Sequence, residues 1–166
     1  VMGNVQMLLR QHVGAPCAPC VEVGAEVKKG TLIATPTGLG ANIFSSVYGK
    51  VTEITEDRII IEPAAEQPDE FVPVTESVEG ITDESSKLDL VKAAGIVGMG
   101  GAGFPTHIKL SVRNPKRIRY VLINGTECEP YMTSDYRRML ESPEELVEGL
   151  RIVLSLFERA TGIFAI

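Results

Sequence analysis

Across the first 63 residues apolar positions alternate with polar ones in short runs broken by glycine, and no stretch repeats at the 3.6-residue period of a helix. Val21-Glu22-Val23-Gly24-Ala25-Glu26-Val27 and Thr31-Leu32-Ile33-Ala34 predict two strands, with Gly24 and Gly30 able to take the positive φ of sharp turns. Ser46 to Ile54 repeats the alternation, and Arg58-Ile59-Ile60-Ile61-Glu62 closes it. Residues 1–63 therefore read as a small all-β unit.

After Ser85 the pattern changes. Ser85 or Ser86 caps a short helix through Leu88, Val91 and Ala94 that stops at Gly95. Arg119 to Ile123 is an apolar run ended by Asn124-Gly125, as in a buried strand. A longer helix follows, with Ser142 as cap, Pro143 in the first position and Glu145 completing a capping box. Leu146, Val147, Leu150, Val153, Leu154 and Phe157 form its apolar stripe, and Gly162 ends it. Strand, helix and strand of these lengths predict a βαβ crossover, so the second half belongs to an α/β layer with a parallel sheet. The fold class is α+β, multi-domain.

Between the halves, Glu62 to Glu84 holds eight carboxylates (Glu62, Glu66, Asp69, Glu70, Glu76, Glu79, Asp83, Glu84), three prolines and no lysine or arginine. That is the composition of a linker, 64–86, or of an extended strand anchored by Phe71-Val72-Pro73-Val74. The whole chain has 166 residues, 44% hydrophobic and 23% charged, which excludes wholesale disorder. A formal charge of -6 opposes nucleic-acid binding. Arg113, Lys116, Arg117 and Arg119 form a short basic cluster, read as a solvated connection. No apolar run approaches the roughly 18 residues of a membrane span, and the N-terminus lacks a signal-peptide pattern, so the expectation is a cytoplasmic protein. The opening at Val1-Met2 and the apolar ending Gly162 to Ile166 suggest a truncated domain whose two-stranded sheet is incomplete.

The β unit resembles the barrel-sandwich hybrid of lipoyl and biotinyl carriers, but Pro36 to Phe44, where the carrier lysine would fall, contains no lysine. Chemistry concentrates instead in Gly98-Met99-Gly100-Gly101-Ala102-Gly103-Phe104-Pro105-Thr106-His107-Ile108-Lys109. Glycines placed between two short helices let backbone amides converge on an anion, and Lys109 adds a point charge one turn beyond Pro105. A tight helix connector is the alternative on spacing alone. The run is neither a dinucleotide fingerprint, since no strand immediately precedes it, nor a nucleoside-triphosphate loop, since it lacks the Gly-Lys-Ser/Thr ending. His107 caps or packs.

Three cysteines fit no closed disulfide framework and suit a reducing compartment. Cys17 and Cys20 are spaced as a redox dithiol or half a zinc site, and no second pair supports zinc. Pro16 and Pro19 forbid the helix that activates a thioredoxin-type thiol, which leaves thiol exchange and two unreactive thiols as alternatives. Cys128, between Glu127 and Glu129, is a poor nucleophile candidate.

Gly98 to Lys109, followed by Ile123-Asn124-Gly125-Thr126-Glu127-Cys128-Glu129-Pro130-Tyr131, resembles the flavin and NADH site of the RnfC family, and more distantly the flavoprotein subunit of respiratory complex I. Gln11-His12-Val13-Gly14-Ala15-Pro16 and Val23-Gly24 through Gly30 match the family's opening domain, so the resemblance covers essentially the whole chain. Cys17-Ala18-Pro19-Cys20 looks like the extra dithiol of the proline-reductase-associated electron-transfer branch. The resemblance implies a barrel-sandwich domain (1–63) and the start of an FMN- and NADH-binding α/β domain (87–166). It implies that Gly98, Gly100, Gly101 and Lys109 hold the FMN phosphate and ribityl chain, and that Asn124 contacts the flavin. Glu129, with Glu127 beside it, lies near the nicotinamide, and Phe104 offers a face for ring stacking. Met99 stands where complex I has arginine, and Thr126 where it has aspartate. The implied activity is hydride transfer from NADH to FMN, then electron passage to iron-sulfur centres or a reductase partner. Three cysteines cannot hold a cubane, so [4Fe-4S] clusters are expected only outside these residues. The implied partners are other subunits of an electron-transfer complex, with a peripheral place on a membrane assembly. A docking module without catalysis and a thiol-disulfide protein acting through Cys17 and Cys20 are the rival classes.

Overall fold

The computed structural model describes residues 3–75, 77, 81–99 and 101–166. Contacts divide the chain into one unit reaching to Ser111 and a second, Val112–Ile166.

The first unit is built on seven strands: β1 (Val5–Leu8), β2 (Cys17–Pro19), β3 (Glu26–Val27), β4 (Leu32–Pro36), β5 (Ile43–Phe44), β6 (Gly49–Ile54) and β7 (Arg58–Pro63). They form a four-stranded sheet in the order β1-β7-β6-β3 and a three-stranded sheet β2-β4-β5, with every pairing antiparallel. Strand alternation directs one set of side chains inward, and Ile33, Val51, Ile59 and Ile61 are completely buried there with Leu9, Val27 and Ile43 around them. Between Val51 and Glu53 the β6–β7 register shifts, a bulge that bends the ribbon toward closure. This is the expected barrel-sandwich.

The acidic stretch begins as a strap rather than a free tether. Gln67 brackets Tyr48, accepting from its amide at 2.9 Å and donating to its carbonyl at 2.7 Å. The Tyr48 hydroxyl donates to the Glu70 carbonyl, and the Val72 amide donates to the Lys29 carbonyl at 2.8 Å. Lys29 reaches Asp69 and lies 5.8 Å from the centre of the Phe71 ring. Glu76 and Glu79 of this stretch fall outside the described residues.

Helix α1 (Glu84–Ala93) is capped by Asp83, whose carboxylate accepts from the Ser86 amide at 2.9 Å. The expected serine caps are inside the helix instead: a carboxylate is the stronger acceptor and its charge suits the positive end of the helix. Gly95, at φ +65, turns the chain out of α1 as expected. A five-residue helix α2 (Thr106–Leu110) follows the glycine run and completes the unit. Packing thus groups α1, the glycine run and α2 with the barrel.

In the second unit β8 (Tyr120–Asn124) pairs in parallel with β9 (Thr161–Ala165), from Tyr120 opposite Thr161 to Asn124 opposite Ala165. Two helices connect them, α3 (Ser134–Glu141) and α4 (Pro143–Leu154). The sequence pattern predicts only the second. Ser142 makes no side-chain cap, because it sits between the two helices: its amide donates to the Arg138 carbonyl that ends α3, while its carbonyl accepts from Leu146 in α4. Glu145 does not return to Ser142 but pairs with Arg138. The helix ends at Leu154, and Gly162 lies within β9. There a Cβ would come within 2.7 Å of Leu150 Cδ2 and 3.0 Å of Leu154 Cδ1, so the missing side chain sets how closely α4 packs on the strand.

The strap supplies a test. Gly30 has φ +84, and an added Cβ would lie 2.6 Å from the Val72 carbonyl oxygen. Gly30→Ala is expected to cost about 1–3 kcal/mol through strain at this φ and to expose the segment around Phe71 to protease. Urea unfolding and limited proteolysis check both, and an unchanged midpoint with an uncut strap would count against the clasp.

Candidate functional site

The glycine run is held at both ends by backbone pairing. The Thr106 amide donates to the Ile96 carbonyl at 2.9 Å, the Gly98 amide donates to the Phe104 carbonyl at 2.9 Å, and Val97 bridges Pro105, which is fully buried. The tip of the loop is open. Met99 is 91% exposed, and around the Cβ position of Gly101 nothing lies within 4 Å.

Lys109, on α2, returns to this loop. Its Nζ lies 3.6 Å from the Cβ position of Gly98, and no carboxylate pairs with it among the described residues. An unpaired ammonium beside glycine backbone is an attractive position for an anionic oxygen. Next to it is a cavity of about 450 Å³, lined from the loop by Gly98, Met99 and Gly101 and from the barrel by His12, Asn42 and Phe44. That volume lies in the range of small-molecule sites.

The expected ligand-holding residues separate on inspection. Gly98 and Gly101 line the cavity, but the Gly98 amide is already committed to Phe104, so Gly98 contributes room rather than a donor. Gly100 lies outside the described residues. Phe104 is 39% exposed and does not line the cavity. His107 packs against the unit, with burial and then Lys92 holding its imidazole below the ordinary range.

Asn124, Glu127 and Glu129 belong to the second unit. The Asn124 side-chain oxygen accepts from the Thr126 amide at 3.1 Å and from the Thr126 hydroxyl. Glu127 reaches forward to the start of α3, accepting from Ser134 Oγ at 3.1 Å and from the amides of Asp135 at 3.3 Å and Tyr136 at 3.2 Å. The formal cap residue Thr133 makes no such bond, so Glu127 caps the helix from seven residues upstream. Desolvation pushes its carboxyl upward, but the Tyr136 and Asp135 amides and the Ser134 hydroxyl outweigh it and hold the group below the usual carboxylate range. Glu129 is exposed. Two residues on, Tyr131 takes φ +65, a conformation rare for a side-chain-bearing residue, with its ring fully in solvent.

Cys17 and Cys20 are not brought together. Cys17 opens strand β2 and is buried, with its thiol donating to the Ala41 carbonyl at 3.3 Å; Cys20 is exposed just past the strand's end, with its thiol facing the Leu32 carbonyl at 3.5 Å. One thiol lies inside the barrel and the other at its surface, each against a different carbonyl. Burial pushes both thiols up, only partly offset at Cys20 by its own backbone amide, so neither is an activated thiolate. Among the described residues no group of three His, Cys, Asp or Glu side chains is placed to hold a metal. Nor is any helix among the described residues long and apolar enough to cross a membrane.

Comparison with known proteins agrees with this architecture. The family model for the RnfC barrel sandwich hybrid domain matches residues 1–74, and that for the Nuo51 FMN-binding domain matches residues 91–166. A subunit of the proton-translocating ferredoxin:NAD(+) oxidoreductase complex of Clostridium ljungdahlii is 41% identical over 160 residues, which cover 89% of this chain and 35% of the relative. Its counterpart in the Na(+)-translocating complex of Acetobacterium woodii is 36% identical over 155 residues, covering 86% of this chain and 34% of the relative. In Pseudomonas aeruginosa a subunit of the ion-translocating oxidoreductase complex is 36% identical over 160 residues, 89% of this chain and 20% of the relative. The chain thus spans about a third or less of the length of these relatives. A barrel-sandwich hybrid followed by a Nuo51-type FMN-binding domain defines the class of protein. Within that class the chain belongs to the RnfC-like family.

Two outcomes check the side-chain assignments. Because its folded-state pKa is depressed, the Glu127 cap is in place above the ordinary glutamate value of about 4.3 and is lost as pH falls through the lower folded value. The Asp135 and Tyr136 amide resonances should therefore titrate below pH ~4.3 and stay flat in Glu127→Gln; a midpoint at the ordinary value would remove the cap. Trapped thiol counts across a graded redox buffer should show no Cys17–Cys20 disulfide at cytosolic poise. A two-electron transition there would restore the dithiol.

Proposed function

We propose that this chain carries the phosphate-binding end of an FMN site in an electron-transfer flavoprotein that exchanges electrons with NAD(H). The carrying observation is the Lys109 ammonium, unpaired among the described residues and 3.6 Å from the Cβ position of Gly98, a glycine that lines the cavity although Lys109 itself does not. A phosphomonoester needs a cation and backbone that approaches without side chains, and these residues fit both requirements. When bound, FMN would supply the step between two-electron hydride chemistry and single-electron transfer.

On this reading Lys109 neutralises phosphate charge, and Gly98 and Gly101 leave room for the ligand. Asn124 offers its side-chain N–H to the flavin while Thr126 fixes the carboxamide orientation, and exposed Glu129 is the nicotinamide-side carboxylate implied by the resemblance. Glu127 serves the second unit as a helix cap. The names of the relatives, subunits of ferredoxin:NAD(+) oxidoreductase complexes, support other subunits as partners and electron exchange between ferredoxin and NAD(+). The proline-reductase-associated branch rested on the Cys17–Cys20 dithiol, and the strand geometry gives it no support.

Lys109→Met should weaken FMN binding about tenfold to a hundredfold, the loss of one charge-assisted contact worth about 1.5–3 kcal/mol. Gly101→Val should lower FMN occupancy with the fold intact, because the added Cβ has open space around it at a position that lines the cavity. Flavin released on denaturation and circular dichroism measure the two quantities. Equal occupancy in parent and both variants would remove the loop from the site.

A further inference from the structure

The Gln11-His12-Val13 turn of the barrel, whose His12 lines the cavity, has no role assigned in the reading above, yet it lies under the glycine loop. His12 is only 7% exposed. The Ala41 amide donates to its Nε2 at 3.1 Å, and on that bond we assign the ring proton to Nδ1, which faces the Val13 carbonyl at 3.2 Å; Cys17 Sγ lies 3.5 Å from Nε2. The Ala41 carbonyl, 3.0 Å from Nε2, takes the Cys17 thiol proton. A proton on Nε2 instead would leave the Ala41 amide without its acceptor.

The same turn meets the loop directly. The Val13 amide donates to the Ala102 carbonyl at 2.8 Å. Gly103, at φ +67, is so close that an added Cβ would lie 3.0 Å from His12 Cα and 3.1 Å from His12 Cβ. From the other side, a Cβ on Gly40 would come within 2.5 Å of His12 Cε1. The imidazole is wedged in the barrel, and its backbone is the surface on which the loop rests.

We propose that His12 is a positioning residue for the glycine loop, so that barrel and loop form one ligand-binding element in which the barrel sets the loop's shape before any ligand arrives. A run of glycines has many accessible conformations, and among the described residues the loop's own backbone pairing lies at its ends. Ordering it in advance removes a cost otherwise charged against binding. The consequence for affinity rests on the FMN reading; the consequence for loop order does not.

The test uses the whole 166-residue chain with FMN as probe, and compares His12→Leu with His12→Gln, whose carboxamide oxygen can accept from the Ala41 amide in place of Nε2. His12→Leu is expected to speed hydrogen exchange at the Val13, Gly98 and Thr106 amides and to raise the FMN dissociation constant, each by roughly twofold to thirtyfold. The Val51 amide, deep in the barrel, should keep its protection, and His12→Gln should recover most of both effects. Should His12→Leu not fold, Gly103→Ala displaces the loop from the opposite side and is expected to reproduce the loop-confined change. Loop exchange equal to the parent's, loss of protection at Val51 to the same degree, or a glutamine variant no better than leucine would overturn the proposal. If the parent binds no FMN, the functional reading fails, and the exchange data still decide whether His12 orders the loop.

Discussion

Outside its apolar core, the first unit depends on backbone segments approaching more closely than any side chain would permit. At Gly95 a Cβ would stand 2.5 Å from the Asn42 carbonyl oxygen, and at Gly103 it would stand 3.0 Å from His12 Cα. These two approaches press the start and the end of the glycine run onto the barrel. Asn42 adds a side-chain bond to the Ala93 carbonyl, satisfying the last turn of α1 from across the gap. The glycines thus do two jobs in one short run: Gly95 and Gly103 allow protein to meet protein, whereas Gly98 and Gly101 leave space empty. Sequence spacing cannot distinguish the two.

The barrel was legible because its information is local. Period-two alternation marks Ile59 and Ile61 as inward, and the turns carry their own glycines. Elements whose determinants lie far along the chain were not legible. Helix α3 begins without a capping side chain of its own, since its acceptor is Glu127, and no periodic pattern links a carboxylate to amides eight and nine residues away. The same holds for Cys17 and Cys20. Their spacing suits a dithiol in a turn and one buried plus one exposed thiol equally well, and the pairing of β2 with β4, which carries Cys17 into the barrel and ends before Cys20, decides between them.

Within the candidate site, Lys109 and the open Gly101 were legible from composition, because a cation and bare backbone are scarce enough in combination to stand out. The commitment of the Gly98 amide was not, since it depends on Phe104 closing the loop. Glu127 and Glu129 show the limit most plainly. They are the same residue type two positions apart, and one is consumed by helix capping while the other faces water. The acidic strap teaches the converse: charge marked the stretch as solvated, while Gln67, with no charge, fastens it to Tyr48.

Ser142 has a mechanical consequence. It ends α3 through its amide and begins α4 through its carbonyl, so the two helices share a single joint residue and have no slack between them. Arg138 and Glu145 brace that elbow from the side. The elbow is gripped at one end by Glu127 and seated at the other on β9, where Leu150 lies over Gly162. Whatever displaces the Glu127 loop therefore acts on α3 directly and reaches α4 through Ser142 and the Arg138–Glu145 pair.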